Sequence, residues 1–352
     1  MNMQSIEVAS KIYELLCDEK SKEVFRAKFD FIINKDEVKL FDWSLNQNEK
    51  IDCPELDLYE ITGGRYSYII FGAGQEGMKS KRVLEATNRK IAAWCDNNRI
   101  LWGTEIDGIK VISPGELVNH YRDATVLISI RRHILPVYQQ LLMMGFPREN
   151  IFIPKNGFLL GFMGKQYFDM FEPKNEEIFV DAGCWDGATS KEFVSWCEGK
   201  YERIYAFEPD ASCWLSCENT FQAEKIDHVQ FIKKGTWKET TTLYFEGIGR
   251  GSSKVYASAV SPYRVSVTSI DDVLDGEKVT FIKLDVEGSE LETLIGAEKS
   301  IRKYKPRLAV SVYHKPEDLW VLAEYIISLD LDYKLYMRHY TTCNYETVLY
   351  AL

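Results

Sequence analysis

The chain has 352 residues, 45% of them hydrophobic and 27% charged, with a formal charge of −10. That length exceeds a single hydrophobic core and predicts two domains of roughly 100 to 200 residues, while the composition excludes wholesale disorder. The acidic balance disfavours nucleic acids and anionic bilayers as partners. No stretch reaches the about 18 apolar residues of a membrane span, and Met1 to Lys20 offers no signal-peptide h-region, so the sequence predicts a cytoplasmic protein. The eight cysteines show no CxxC and no Cys/His spacing of the kind zinc needs, which predicts reduced, mostly buried thiols.

In chain order, apolar residues recur at helical spacing from Ile6 to Ile33 (Ile12, Leu15, Leu16, then Val24, Phe25, Phe29) and predict two short helices ahead of the first sheet. Asp52 to Gly64 breaks that periodicity and reads as a loop. Tyr68-Ile69-Ile70-Phe71 is a buried-strand run, followed at once by Gly72-Ala73-Gly74-Gln75-Glu76-Gly77 and a helix to about Ala86. Strands at Ile91 to Cys95, Lys110 to Ile112 and Val126 to Ser129 alternate with helices at Pro114 to Tyr121 and Ile134 to Met144. Such βα alternation predicts a parallel, doubly wound sheet.

Pro154 to Asn175 is irregular and aromatic (Phe158, Phe162, Tyr167, Phe168, Phe171) and marks a boundary. A second alternation then places strands near Ile178 to Asp181, Arg203 to Glu208, Val229 to Ile232, Val279 to Asp285, Arg307 to Tyr313, Lys334 to Arg338 and Thr347 to Ala351. The last two are too close for a crossover helix and should form an antiparallel hairpin. The expected organisation is therefore a helical extension over 1–65, a Rossmann-like unit over 66–155, a linker over 156–175 and a second Rossmann-like unit over 176–352, a tandem α/β arrangement.

Phe179-Val180-Asp181-Ala182-Gly183-Cys184-Trp185-Asp186-Gly187 sets an acid at the end of a strand and glycines through the turn. Glycine admits close backbone approach, and the helix that follows supplies free N–H groups. Asp181 and Asp186 would repel a diphosphate but suit the amino group and sulfonium of S-adenosylmethionine (SAM). Ala206-Phe207-Glu208-Pro209-Asp210 comes about 20 residues later, where nucleotide folds place an acid on the ribose hydroxyls; Glu208 is the expected ribose ligand.

Val279-Thr280-Phe281-Ile282-Lys283-Leu284-Asp285-Val286-Glu287-Gly288-Ser289-Glu290 gathers charge where a buried strand emerges, and Lys283, Asp285 and Glu287 are candidate catalytic residues at that edge. Ser311-Val312-Tyr313-His314-Lys315-Pro316 sets a histidine at the same rim. With an ordinary pKa, His314 is the expected base for a hydroxyl proton; a hydrogen-bonding surface histidine is the other reading.

Together, VDAGCWDG, AFEPD, FIKLDVEGSE, KPRLAVSVYHKPEDLW, YKLYMRHY and ETVLYAL resemble the FkbM family of methyltransferases over about residues 165 to 352, and IKLDVEGSE is the most specific element. The resemblance implies a class I methyltransferase fold, a mostly parallel sheet ending in an antiparallel hairpin, and SAM-dependent O-methylation, often of sugars, polysaccharides or polyketide products. By matching motif it puts Asp181, Gly183 and Gly187 at the SAM pocket, Glu208 on the ribose, and Asp285 and Glu287 at the methyl-transfer edge. Thr236-Trp237 falls where such folds contact adenine; Trp237 would stack on it or cap the core. The insert Leu243 to Val267 reads as a hairpin over the site, from which Arg250 and Ser252 would touch the acceptor. A metal-assisted variant would use Asp285 and Glu287 to hold Mg²⁺ against vicinal hydroxyls.

In the first half, Gly72-x-Gly74-x-x-Gly77 with Asp96 about 20 residues on matches the dinucleotide fingerprint formally. FGAGQEG, AAWCDNN and VISPGEL resemble nucleotide-binding domains found beside sugar-modifying enzymes, which implies a nucleotide-sugar ligand; packing or homodimerisation is the alternative use. The expected function is SAM-dependent O-methylation of a carbohydrate or glycosylated small molecule. Its competitors are a non-catalytic protein that binds SAM or a nucleotide sugar, and an NAD-linked sugar enzyme.

Overall fold

A computed structural model of the chain describes residues 3–37, 39–40, 43–44, 55–58, 67–130, 134–155, 165–246, 254–256, 263–341 and 344–352. The chain separates into two units. One comprises Met1–Leu40, Lys165–His339 and Asn344–Leu352, and the other Phe41–Gly164 with Tyr340–Cys343.

The first two helices, α1 (Met3–Leu15) and α2 (Glu19–Asn34), bury Ala9 and Ile12, and Val24, Phe25 and Phe31, at the three-to-four spacing seen in the sequence. The Asp18 side chain caps α2 by accepting the Ser21 N–H. Both helices precede the first sheet in sequence, yet they group with the second half of the chain.

The smaller unit is built on β1 (Glu55–Asp57), β2 (Tyr68–Phe71), α3 (Gln75–Ala86), β3 (Ile91–Cys95), β4 (Glu105–Ile106), β5 (Ile109–Ile112), α4 (Pro114–His120), β6 (Thr125–Ile128), α5 (Ile134–Met143) and β7 (Ile151–Lys155). Its strand order is β1-β7-β6-β2-β3-β5-β4, parallel except for the β4–β5 pair. Alternate residues of the apolar strands feed opposite faces. Ile69, Phe71, Ala93, Cys95, Val126 and Ile128 pack on one side, and Tyr68, Ile70, Trp94, Val111 and Leu127 on the other.

The larger unit continues with β8 (Glu177–Ala182), α6 (Ala188–Trp196), β9 (Tyr201–Phe207), α7 (Ala211–Ala223), β10 (Val229–Ile232), β11 (Gly235–Thr236), β12 (Thr241–Glu246), β13 (Lys254–Tyr256), β14 (Tyr263–Thr268) and α8 (Ile270–Leu274). It ends with β15 (Phe281–Leu284), α9 (Glu290–Ile295), α10 (Glu298–Tyr304), β16 (Arg307–Ser311), α11 (Asp318–Ser328), β17 (Leu335–His339) and β18 (Thr347–Ala351). The main sheet runs β10-β9-β8-β15-β16-β18-β17. It is parallel as far as β16, and β18 lies antiparallel between β16 and β17. This is the expected mostly parallel sheet with a terminal antiparallel pair.

β12 pairs antiparallel with both β13 and β14; Arg250 and Ser252, the residues of this insert expected at the acceptor, lie outside the described residues. The stretch read as a linker supplies core aromatics. Phe168 and Phe171 meet Phe281 and Trp196 at ring-centre distances of 4.9 to 5.8 Å, and Phe179 stacks on Phe193 at 4.3 Å.

Candidate active site

Strand register fixes the site. β9, β8 and β15 pair so that Phe207, Ala182 and Leu284 lie level, which brings Glu208, Gly183 and Asp285 out together at the carboxyl edge. In a parallel sheet this is the edge where the strand order reverses and ligands sit.

The Gly183 turn is held tightly. Gly183 has φ +80, and a Cβ there would come within 1.9 Å of the Asp285 carbonyl oxygen, so only glycine lets the turn pass β15 this closely. Beneath it Lys283, 1% exposed, donates to Asp181 Oδ1 at 3.0 Å and to the carbonyls of Ala182 at 3.2 Å and Gly183 at 2.6 Å. The Ser190 hydroxyl donates to the other Asp181 oxygen at 2.8 Å. Asp181 and Lys283 are therefore a buried pair under the turn. Neither charge faces the rim where sequence reasoning put Asp181 as a cofactor ligand and Lys283 as a catalytic residue. Burial opposes the Lys283 charge, but Asp181 and Asp285 outweigh it and raise its pKa.

On the other side of the turn, Glu208 accepts the Trp185 N–H at 3.0 Å and the Asp210 N–H at 2.8 Å. Burial pushes its carboxyl up to about 7 against those two hydrogen bonds. Asp186 caps the start of α6 by accepting the Ala188 N–H at 3.0 Å, and Gly187 also has φ +80. Thr236 is buried, its hydroxyl bonded to that of Thr293 at 2.9 Å. Trp237 is half-buried, and its N–H donates to the Thr268 carbonyl at 2.9 Å.

At the rim of β15 and β16 the structure gathers four ionisable side chains. His314 Nδ1 lies 2.8 Å from Glu290 Oε1, and its Nε2 lies 3.5 Å from Asp285 Oδ1 and 3.6 Å from Glu287 Oε2. Burial alone would lower the His314 pKa, but Glu290, Asp285 and Glu287 together hold it at about 10. This corrects the expectation of a histidine with an ordinary pKa: an imidazolium so held has no lone pair for a hydroxyl proton. Glu287, in contrast, is pushed up to about 7 by burial, against the His314 charge, and stands at a left-handed φ of +55. Burial would raise the Asp285 pKa too, but Lys283, His314, Tyr167 and Tyr313 keep it low.

Two members of the site escaped sequence reasoning. Tyr167 donates to Asp285 Oδ2 at 2.8 Å and Tyr313 to Oδ1 at 3.1 Å. Asp285, Glu290 and His314 have ligand atoms within 4.8 Å of one another. The imidazolium, though, occupies the gap between Asp285 and Glu287 and supplies the positive charge that Mg²⁺ would have brought.

For SAM the donor set fits. A recessed carboxylate at the end of β9 lies beside a glycine turn that opens a helix, and a half-buried indole follows β11. The carboxylate suits the two ribose hydroxyls and the indole suits a purine face, while the acids of the rim suit a sulfonium.

In the smaller unit, Gly72 has φ +109 and a Cβ on Gly77 would lie 1.9 Å from the Gly72 carbonyl oxygen. Asp96 accepts the Ala73 N–H at 2.9 Å and the Asn98 N–H at 2.8 Å. A Cβ on Gly74 would meet nothing within 4 Å.

Residues 177–341 match the family model of the methyltransferase FkbM domain, and residues 64–152 that described as C2185-like, N-terminal. No curated protein matches the chain. Among solved structures, the methyltransferase FkbM from Methylobacillus flagellatus KT is 21% identical, with 91% of this chain and 99% of that one covered and a TM-score of 0.47. An rRNA methylase from Streptococcus thermophilus is 18% identical over 51% of this chain and 86% of its own, with a TM-score of 0.34. Fibrillarin from Aeropyrum pernix, solved with natively bound SAM, is 11% identical over 51% of this chain and 67% of its own, with a TM-score of 0.33. On the match of residues 177–341 to the methyltransferase FkbM domain model, the chain is a SAM-dependent methyltransferase.

Proposed function

We propose that the enzyme methylates a hydroxyl of a carbohydrate or glycosylated small molecule, and that Glu287 is the base. The observation that carries this reading is the rim cluster, in which His314 is held charged by three carboxylates while Glu287 alone is both partly exposed and poised near neutral pH. The acids Asp285, Glu287 and Glu346 accept hydrogen bonds from a polyol and repel an anionic nucleophile, which favours a neutral hydroxyl.

SAM, when bound, supplies an electrophilic methyl group on a sulfonium. The chain's own residues do the rest. The Gly183 turn and Glu208 hold the cofactor, and Asp285, fixed by Tyr167 and Tyr313, orients the acceptor. Glu287 Oε2 takes the hydroxyl proton as the oxygen attacks, ending as the neutral acid. The His314 imidazolium keeps Asp285 and Glu287 close despite their like charge, and alignment supplies most of the acceleration.

Tritium transfer from methyl-labelled SAM to a panel of oligosaccharides and UDP-sugars tests this. Glu287→Gln is expected to lose turnover on the order of 10²- to 10⁴-fold while SAM affinity, measured by calorimetry, stays unchanged. Turnover at the parent rate in Glu287→Gln removes the assignment.

A further inference from the structure

We infer that Lys28 of α2 is a positioning residue for methyl transfer: through Asn344 it fixes the short strap Asn344–Glu346 that braces the acid cluster. The inference rests on the acceptor placement proposed above.

Lys28 is 2% exposed, an unusual place for an ammonium, whose burial costs several kcal/mol unless it is paired. Its Nζ donates to the Asn344 carbonyl at 2.6 Å and to Asn344 Oδ1 at 2.7 Å. Docking of α2 does not need these bonds. Two turns earlier, Ser21 Oγ accepts the Met337 N–H at 2.8 Å and Arg338 pairs with Asp18 at 2.7 Å, which already ties the start of the helix to β17. Lys28 instead reaches the connection between β17 and β18.

That connection touches the chemistry. Tyr345 sets its ring edge-on to the Tyr313 ring at 6.0 Å. Glu346, at a left-handed φ of +62, accepts from Gln166 Nε2 at 2.6 Å, and its Oε2 lies 3.4 Å from the Tyr313 hydroxyl. The same hydroxyl donates to Asp285 Oδ1 at 3.1 Å. A non-glycine residue in that backbone region costs about 1 to 2 kcal/mol, so Glu346 holds its place only because its surroundings fix it. Without the Lys28 anchor the strap would relax, and Tyr313, and with it Asp285, would lose a lateral support. A displacement of about 1 Å at a reacting group is enough to cost up to about a hundredfold in rate.

The test compares Lys28→Met and Lys28→Arg in the full chain. In Lys28→Met, amide hydrogen exchange over residues 344–348 should quicken, and kcat on the best saccharide of the panel should fall on the order of tenfold to a hundredfold. SAM affinity should not move, and Lys28→Arg should recover most of the rate. Unchanged exchange over 344–348 overturns the inference. So does a loss of SAM affinity that matches the loss of kcat, because that would mean general loosening of the unit. Glu287→Gln serves as the control. If it turns over normally, the acceptor placement is at fault; if it is dead while Lys28→Met is fully active, only the role of Lys28 falls.

Discussion

The two glycine turns of this chain share a frame and differ in what lies under them. Each follows a buried parallel strand, each opens a helix, and each is tied down by an acid from the next strand: Asp96 on the Ala73 N–H, Glu208 on the Trp185 N–H. Under the first turn a pair of buried hydroxyls, Ser80 and Ser129, meet at 2.9 Å. Under the second lies a full charge pair, Lys283 with Asp181. The strand-turn-helix frame is therefore a mounting, and its chemistry depends on which charges the neighbouring strands bring to it. Lys283 in the middle of β15 links the turn to the strand that carries Asp285.

The largest separation between the two turns is expected from removing what lies beneath them. Lys283→Met leaves Asp181 charged and without its counter-ion and should destabilise the larger unit by about 3–5 kcal/mol. Ser129→Ala should cost only about 1 kcal/mol. Urea unfolding of both variants checks the ranking, and equal costs would break the comparison. Next come the glycines. Gly183→Ala forces a left-handed residue against the Asp285 carbonyl and should cost about 2–4 kcal/mol together with SAM binding. Gly74→Ala has open space and ordinary backbone and should cost about 1 kcal/mol or less.

The smallest effect is set by pH. Because burial lifts Glu208 to about 7, the ionised form proposed to accept the ribose hydroxyls is lost as pH falls through 7. SAM affinity should weaken toward about tenfold per pH unit below that point. The sign for stability is the opposite. The folded state holds this proton at pH values where the unfolded carboxyl, near its ordinary 4.5, has released it, so the contribution of Glu208 to stability declines as pH rises from about 4.5 to about 7. Calorimetric titration between pH 5.5 and 8.5 distinguishes a flat profile from this one.

Much of the fold was legible because parallel strands announce themselves as short apolar runs between turn residues. Tyr68–Phe71, Ile91–Cys95, Val229–Ile232 and Thr347–Ala351 have the bounds read from sequence. The two-residue β4 and the three-residue β1 were not visible, since so few residues carry no periodicity. At the site, sequence spacing located the charged residues, but their mutual distances decide what each can do. His314 sits beyond β16, and the acids that keep it charged come from the segment after β15, so no local pattern could report its protonation. Tyr167 was hidden in an irregular aromatic stretch. A lysine inside the apolar run of β15 was a usable signal for a buried counter-ion, since β15 pairs with the strand that ends in Asp181.

The contact between α2 and β17 joins residues 316 positions apart, as the Ser21 bond to Met337 shows. At a synthesis rate of 5–20 residues per second, the ribosome needs roughly 15 to 60 s to cover that separation. For that interval α2 lacks the strand it docks on, while the sheet of β1 to β7 emerges complete and free to fold. Nascent chains stalled before Leu335 should therefore engage chaperones through α2.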